Sequence, residues 1–105
     1  MSAILVLTTV PNRKEARKIA DRVLSARVAA CVNILSGIES HYWWQGKKEK
    51  AGEVALLIKT RKSLYKQLEK VILKVHSYGT PEIIAFPISN GNPAYLKWLR
   101  SETKS

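Results

Sequence analysis

The fold is decided by VAACVNILSGIESHYWWQGKKEKAGEVALLIKT, residues 28–60. Two apolar runs, 28–34 and 54–58, frame this stretch, and Gly46 lies roughly midway between them. The symmetry predicts one long β-hairpin that turns around Gly46, with a kink or bulge at 36–37. Because a strand usually contains about 5 to 6 residues, we expect the tip of such a hairpin to project beyond its sheet.

The segments on both sides of the hairpin show strand and helix patterns in alternation. The predicted elements are, in chain order, a strand over 3–9, a helix over 13–26 capped by Asn12, the two hairpin strands, a helix over 64–75 opened by Thr60 or Ser63, an edge strand over 83–88 that contains Pro87, and a short helix opened by Asn92 and Pro93. This order is that of the ferredoxin-like βαββαβ fold, in which two helices cover one face of an antiparallel sheet. The sequence therefore predicts an α+β fold with one domain over 1–105.

Composition narrows the class of protein. The 105 residues include 46% hydrophobic residues, which is enough for one core. No apolar run approaches the ~20 residues that span a bilayer, and the N-terminal MSAILVLTTVPNR is typical of a first strand and not of a signal peptide. Cys31 is the only cysteine, so no internal disulfide is expected. We expect a cytoplasmic protein with no membrane partner.

The chain is strongly basic. Eighteen Lys and Arg against eight Asp and Glu give a formal charge of +10, which raises the possibility of nucleic acid or another acidic partner. The cations recur at helical spacing, at Arg13, Lys14, Arg17, Lys18 and Arg22 in the first helix and at Lys62, Lys66, Lys70 and Lys74 in the second. Such spacing is typical of the solvated outer face of an amphipathic helix, so charge alone predicts no specific nucleic-acid partner.

Both faces of the predicted sheet are apolar. Strands with one solvated face alternate between apolar and polar residues, but neighbours such as Leu56 and Leu57 are both apolar here. If about eight aliphatic side chains stayed uncovered, the lost stabilisation would be on the order of 10 to 20 kcal/mol, which rivals the ~4 to 15 kcal/mol that opposes association. We therefore expect self-association, with Tyr42, Trp43 and Trp44 at the hairpin tip packed on a neighbouring subunit.

Several segments match a known family. The sequence resembles the CutA family of divalent-cation tolerance proteins in LTTVPN (7–12), AACVNI (29–34), HYWWQGK (41–47), EVALLIKT (53–60), HSYGTPEI (76–83) and GNPAYLKWL (91–99). The resemblance implies a homotrimer whose sheets face inward and whose long hairpins pair between subunits. It also implies copper or heavy-metal binding, a link to metal tolerance, and a likeness to PII signalling proteins, which place small ligands in clefts between subunits.

One departure from the family concerns the metal. Copper-linked members carry a cysteine at the position of Thr8 and a histidine at the position of Val75, so only His76 of that set is present. Soft copper binds best to thiolate, thioether or imidazole ligands. The sequence therefore predicts weak metal binding, with His76 as the candidate ligand.

The segment HSYGTPE, residues 76–82, has three interpretations. His76 at a helix end, with the turn-forming Gly79, fits turn chemistry alone. A weak metal site, with copper or another divalent ion, would use His76 and donors from a second subunit. A small-ligand cleft would use Cys31, Lys59, Tyr78 and Glu82, although a salt bridge from Lys59 to Glu53 or Glu82 is an alternative use of that lysine.

Catalysis and RNA binding receive less support. With two histidines and one cysteine, no set of nucleophile, base and orienting group is recognisable. RNA-binding domains with the same βαββαβ order display aromatic residues on their central strands, whereas the corresponding strands here are aliphatic. We therefore expect a non-enzymatic protein without an obligatory cofactor, with a basic nucleic-acid module or a PII-like signalling protein as the alternative.

Overall fold

A computed structural model describes residues 2 to 104, and its elements follow the predicted order. They are β1 (Ala3–Val10), α1 (Arg13–Ser25), β2 (Cys31–Trp44), β3 (Lys47–Arg61), a short 3-10 helix (Lys62–Leu64), α2 (Tyr65–Val75), β4 (Ile83–Pro87) and α3 (Pro93–Glu102). The four strands form one antiparallel sheet in the order β2-β3-β1-β4. The predicted ferredoxin-like α+β fold is confirmed, and β4 lies at a sheet edge as Pro87 indicated.

The long hairpin is confirmed in both its turn and its bulge. Gln45 and Gly46 have φ angles of 50° and 79°, the two positive values that a type I′ turn requires. The pairing of β2 with β3 shifts between Leu35 and Ile38, where Gly37 has a φ of 83°. The 14 residues of β2 set the 44 Å long axis of the molecule, since extended chain advances about 3.3 Å per residue.

Two of the three predicted helix starts are confirmed. The Asn12 side chain accepts a hydrogen bond from the Glu15 N–H at 2.9 Å, and the Asn92 side chain accepts one from the Ala94 N–H at 2.9 Å. The prediction that Thr60 or Ser63 caps the second helix is wrong, because α2 has no side-chain cap and follows a 3-10 turn. The Thr60 hydroxyl instead donates to the Val28 carbonyl at 2.7 Å, which ties β3 to the segment before β2.

The core lies between α1, α2 and one face of the sheet. Its largest fully buried members are Val6, Val10, Ile19, Val23, Leu56, Ile58, Leu68 and Ile72. The opposite side of the sheet, which we call the open sheet face, carries Leu5, Leu7, Leu57, Ile84 and Phe86. Ile84 and Phe86 are 41% and 47% exposed, so the second apolar face predicted from the sequence is present and is only partly covered within one chain.

Thr8 is a polar exception within the buried set. The residue is fully buried, and within the described residues its hydroxyl has no hydrogen-bond partner. Thr60 is equally buried, but its hydroxyl is bonded. A buried hydroxyl without a partner reduces stability by about 1 to 3 kcal/mol. None of the described helices has the length and apolar character needed to span a membrane.

The difference between the two threonines predicts opposite mutational effects. Thr8→Val should raise the free energy of unfolding by about 1 kcal/mol, because it removes an unpaired buried hydroxyl and keeps the side-chain volume. Thr60→Val should lower it by about 1 kcal/mol, because it breaks the bond to Val28 and leaves that carbonyl unpaired. Urea denaturation of both variants measures the two changes, and a destabilised Thr8→Val variant would contradict the assignment.

Candidate functional site

The predicted site residues fall into two groups at different places on the sheet. His76, Tyr78 and Glu82 belong to the loop between α2 and β4, beside Glu53 at the outer part of β3. Lys59 lies further along β3, where it pairs with Cys31 of β2. Six residues of extended strand separate Glu53 from Lys59, a distance of about 20 Å. One chain therefore does not bring the five predicted residues into a single site.

His76 is the C-cap residue of α2, and its side chain is completely buried. Its Nδ1 accepts a hydrogen bond from the Tyr78 N–H at 3.1 Å, and its Nε2 lies 2.9 Å from the Thr9 carbonyl oxygen. These partners indicate the tautomer in which Nε2 carries the proton and donates it to Thr9. Because β4 pairs with β1 only as far as Thr8, the ring supplies a hydrogen bond to β1 one residue beyond that pairing.

Glu15 of α1 completes the surroundings of the imidazole. One carboxylate oxygen lies 3.6 Å from His76 Nδ1 and accepts hydrogen bonds from the Ser77 N–H at 3.2 Å and the Ser77 hydroxyl at 3.0 Å. Glu15 follows Asn12 at the spacing of a capping box, but its carboxylate holds the loop that follows α2, and the Asn12 side chain caps the helix. The loop is consequently fixed to both α1 and β1.

Tyr78 connects this loop to the hairpin. Its hydroxyl donates to a Glu53 carboxylate oxygen at 2.9 Å, and its ring lies 5.0 Å from the His76 ring, centroid to centroid. Burial of the hydroxyl, its hydrogen bond to Glu53 and the negative charge of Glu53 raise the pKa of Tyr78 to about 12. Glu82 is exposed, three residues beyond Gly79.

The second group surrounds Lys59. Its Nζ donates to the Asn33 side-chain oxygen and lies 4.0 Å from Cys31 Sγ. The salt bridge to Glu53 or Glu82 that we considered for Lys59 is not formed within the described residues. Tyr95 of α3 adjoins the Cys31 thiol, and burial and then this thiol raise the pKa of Tyr95. An ammonium, an amide, a thiol and a phenol therefore converge beside the open sheet face.

Four residues of these two groups were not predicted from the sequence: Glu15, Asn33, Glu53 and Tyr95. Only Asn33 had a usable signal, because residues i and i+2 of a strand share a face and Cys31 was already a candidate. The other three reach their partners across 62, 25 and 64 residues of chain, from Glu15 to Ser77, from Glu53 to Tyr78 and from Cys31 to Tyr95. Such contacts depend on tertiary packing that local patterns do not encode.

The hairpin tip presents its aromatic residues to the outside. Tyr42, Trp43 and Trp44 are 44%, 70% and 51% exposed. Beside them, a shallow hollow of about 430 Å³ is lined by His41, Tyr42, Trp43, Lys48, Glu49 and Lys50. This hollow contains neither of the two groups around His76 and Lys59, so it is not the predicted cleft. Aromatic surface of this size is normally covered when a partner is present.

The described residues of one chain do not by themselves provide the ligands of a metal site. In the part of the chain from 2 to 104, no three His, Cys, Asp or Glu side chains lie close enough to hold an ion. Thr8 is buried in the core, Val75 packs against the core, and both ring nitrogens of His76 have hydrogen-bond partners. A metal ion at His76 would have to displace one of these bonds and would need donors from outside the chain.

The fold and these surroundings define a small ferredoxin-like α+β protein with an extended hairpin. Residues 4–102 match the model of a protein family described as CutA1 divalent ion tolerance protein. The chain belongs to this family, as the resemblance of its motifs indicated.

Similar proteins come from plants and bacteria. Over 97% of this chain, 46% of residues are identical to the chloroplastic protein CutA 1 of Oryza sativa, of which the chain covers 58%. Identity is 44% to the divalent-cation tolerance protein CutA of Thermus thermophilus, with 94% of this chain and 96% of that protein covered. The crystal structure of CutA1 from Oryza sativa superposes with a TM-score of 0.96 at 45% identity, covering 99% of this chain and 95% of that one.

The chain thus spans less than two thirds of the rice relative and nearly all of the bacterial one. A periplasmic divalent cation tolerance protein CutA from Archaeoglobus fulgidus is also similar, with a TM-score of 0.94 at 38% identity over 97% of this chain and 99% of that one. These names describe tolerance of divalent cations and mention no catalytic reaction. They place relatives in more than one compartment.

The environment of Tyr78 predicts its titration. A pKa of about 12 in the folded protein, against 10.0 ordinarily, means that folding favours the neutral phenol. Tyr78 therefore contributes stability that is complete below the ordinary value and is lost as the pH rises through the folded value. The phenolate absorbance of the wild type minus that of Tyr78→Phe should show this late titration. In denaturant the midpoint of this difference curve should return to the ordinary pKa of tyrosine. A midpoint at the ordinary pKa in the folded protein would contradict the burial of Tyr78 and its bond to Glu53.

Proposed function

We propose that the chain forms a homotrimer that contributes to tolerance of divalent cations, without catalysis and in the cytoplasm. In this proposal the open sheet faces pack together, and weakly bound metal or a small ligand occupies clefts between subunits. The names of the relatives support the link to divalent cations. The observation that carries the assembly is the apolar surface that one chain leaves exposed.

This surface extends from the sheet to the hairpin tip. Ile84 and Phe86 are about half exposed beside Leu5, Leu7 and Leu57, and the three tip aromatics are exposed further out. Fully burying each large apolar side chain contributes ~1.5 to 3 kcal/mol, so pairing this surface with copies of itself is strongly favoured. The hairpin also extends far enough from its own core to lie along a neighbouring subunit.

The separation of the two residue groups supports the proposed clefts between subunits. Lys59, with the adjacent Cys31, supplies a cation and a thiol beside the open sheet face, whereas Tyr78 and Glu82 lie about 20 Å away along the sheet. A small ligand cannot reach both groups of one chain. It can contact both only if a second subunit places its Tyr78 and Glu82 against the Lys59 of the first, which makes the proposed ligand site dependent on assembly.

The metal part of the proposal assigns His76 as the protein ligand and predicts weak binding. The nearest second donor within the chain is Glu15, whose oxygen is 3.6 Å from Nδ1. An ion there must replace the hydrogen bond from Tyr78 or the one to Thr9. Further donors, such as Cys31 or Glu82, would have to come from another subunit. Each of these requirements lowers the affinity.

Assembly through the open sheet face is tested by Leu57→Glu. The side chain of Leu57 lies on this face, whereas Leu56 is fully buried towards the helices. We expect Leu57→Glu to disrupt the trimer and leave a destabilised monomer, because a charged group would be forced into an apolar contact. Light scattering measures the mass of each species.

Leu73→Glu is the matched control for this experiment. Leu73 is 52% exposed on α2, which covers the other side of the sheet. The control should keep the mass of three chains. A wild type that stays monomeric and folded, or a Leu57→Glu variant that keeps the wild-type mass, would contradict the proposed assembly.

The role of His76 in metal binding is tested by replacing each of the two histidines with glutamine. Gln at position 76 can still donate an amide hydrogen to the Thr9 carbonyl, so it removes the imidazole with little disturbance of the loop. Titration of the wild type with Cu²⁺, followed by calorimetry, should show weak binding that His76→Gln abolishes. His41→Gln, at the exposed hairpin, should retain it. Equal binding by both variants would remove His76 as a ligand.

A further inference from the structure

The outward surface of α1 and α2 carries a dense set of cations, which we call the helix-layer cations. They are Arg13, Lys14, Arg17, Lys18 and Arg22 of α1, Lys62 of the adjoining 3-10 helix, and Lys66, Lys70 and Lys74 of α2. All are exposed, and Arg13 also donates a hydrogen bond to the Ser36 hydroxyl at 2.6 Å. Among the Lys and Arg side chains of residues 2 to 104, only Arg27 is within ion-pair distance of a carboxylate. The helix-layer cations therefore have no carboxylate within ion-pair distance among these residues.

Two of the three acidic residues of these helices accept hydrogen bonds from neutral groups and form no ion pair with the helix-layer cations. Glu15 accepts hydrogen bonds from Ser77, and Glu69 accepts one from the Tyr65 hydroxyl at 3.0 Å. Only Asp21 is an exposed carboxylate among α1 and α2. Nine of the 18 cations but only three of the eight carboxylates therefore belong to α1, α2 and the adjoining 3-10 helix, which makes the side opposite the open sheet face net positive.

Like charges repeat along both helices at a spacing that is unfavourable for the helix itself. Lys66, Lys70 and Lys74 are successive i, i+4 neighbours, and Lys14 with Lys18 repeats the pattern in α1. Like-charge pairs at this spacing destabilise a helix. An anionic partner outside the chain would relieve the repulsion, whereas the chain itself offers no partner in the described part.

We propose that the helix-layer cations bind the phosphodiester backbone of a nucleic-acid duplex without regard to sequence. Four helical residues advance about 6 Å along the axis, so the three lysines of α2 extend over about 12 Å, on a helix that packs against α1 and its own lysines and arginines. A duplex presents one negative charge per ~1.7 Å of its axis. Two adjacent rows of flexible cations match such a regular line of phosphates.

A duplex fits this surface better than the other polyanions do. Single strands are held by aromatic stacking, but the exposed Tyr and Trp residues lie on the hairpin and α3, away from α1 and α2. Helices that bind membrane surfaces insert an apolar face into the lipid. The apolar faces of α1 and α2 are already buried in the core, which leaves the separate leucines Leu24 and Leu73 outside.

The proposed surface does not depend on the proposed function. It lies on the side of the sheet opposite Leu57 and the residues that would pack in a trimer. If the chain assembles as proposed, the helix layers remain on the outside of the assembly. A failure of duplex binding would leave metal binding and assembly unaffected, and the reverse also holds.

The experiment compares two variants that each remove three positive charges. Lys66→Gln/Lys70→Gln/Lys74→Gln removes the row on α2, and Lys97→Gln/Arg100→Gln/Lys104→Gln removes exposed charges of α3 and the residues after it. Glutamine keeps the helix propensity of lysine. Binding is measured by fluorescence anisotropy at several salt concentrations. The ligands are a mixed-sequence DNA duplex, an RNA duplex, a single strand and vesicles containing phosphatidylserine. Circular dichroism and light scattering control for folding and mass.

We expect the wild type to bind both duplexes, with an affinity that falls about three- to fourfold for each phosphate bound between about 50 and 200 mM salt. The affinity of the α2 variant should be lower by about tenfold or more. The slope of its log affinity against log salt concentration should be shallower by roughly one for each phosphate that it no longer binds. The α3 variant should bind nearly as the wild type does. Equal weakening in both variants, tighter binding to the single strand or to vesicles, or no duplex binding at low salt would overturn the proposal.

Discussion

The pairing of β2 with β3 is the constraint on which the rest of this structure depends. The two-residue turn at Gln45 and Gly46 and the bulge between Leu35 and Ile38 together fix which residues lie opposite each other along the hairpin. A shift by one residue would move every side chain of a strand to the other face. The observed register sends Leu56 into the core, places Leu57 on the open sheet face, and sets Lys59 beside Cys31. The core, the open sheet face and the group around Lys59 are therefore set together by this one pairing.

The loop after α2 illustrates how a structural and a functional interpretation share the same residues. His76 joins this loop to β1 through Thr9, and Glu15 joins it to α1 through Ser77. Tyr78 then reaches the hairpin through Glu53. These bonds explain why the histidine is buried and why the tyrosine is held in a defined position. They also mean that an ion or ligand at this loop competes with contacts that stabilise the fold.

Much of the fold could be predicted from local patterns, because turn chemistry, capping residues and strand periodicity act over a few residues. Gly46, Gly37, Asn12 and Asn92 were each placed correctly for this reason. The cap of the second helix was not, because Thr60 has the right chemistry for a cap but remains inside β3. For the candidate site, individual residues could be named from the sequence, but their partners within the chain could not. Its five residues separate into two groups, and the partners Glu15, Glu53 and Tyr95 come from distant parts of the chain.

The bulge in β2 has a geometric consequence for the hairpin tip. Leu35 lies opposite Ala55 and Ile38 opposite Glu53, so three steps along β2 match two along β3. The alternation of β2 is therefore inverted beyond Gly37, and Tyr42 and Trp44 emerge on the side of Leu57 while Trp43 emerges on the reverse. A single extra residue thus decides which aromatic rings share the open sheet face and which one lies on the reverse side.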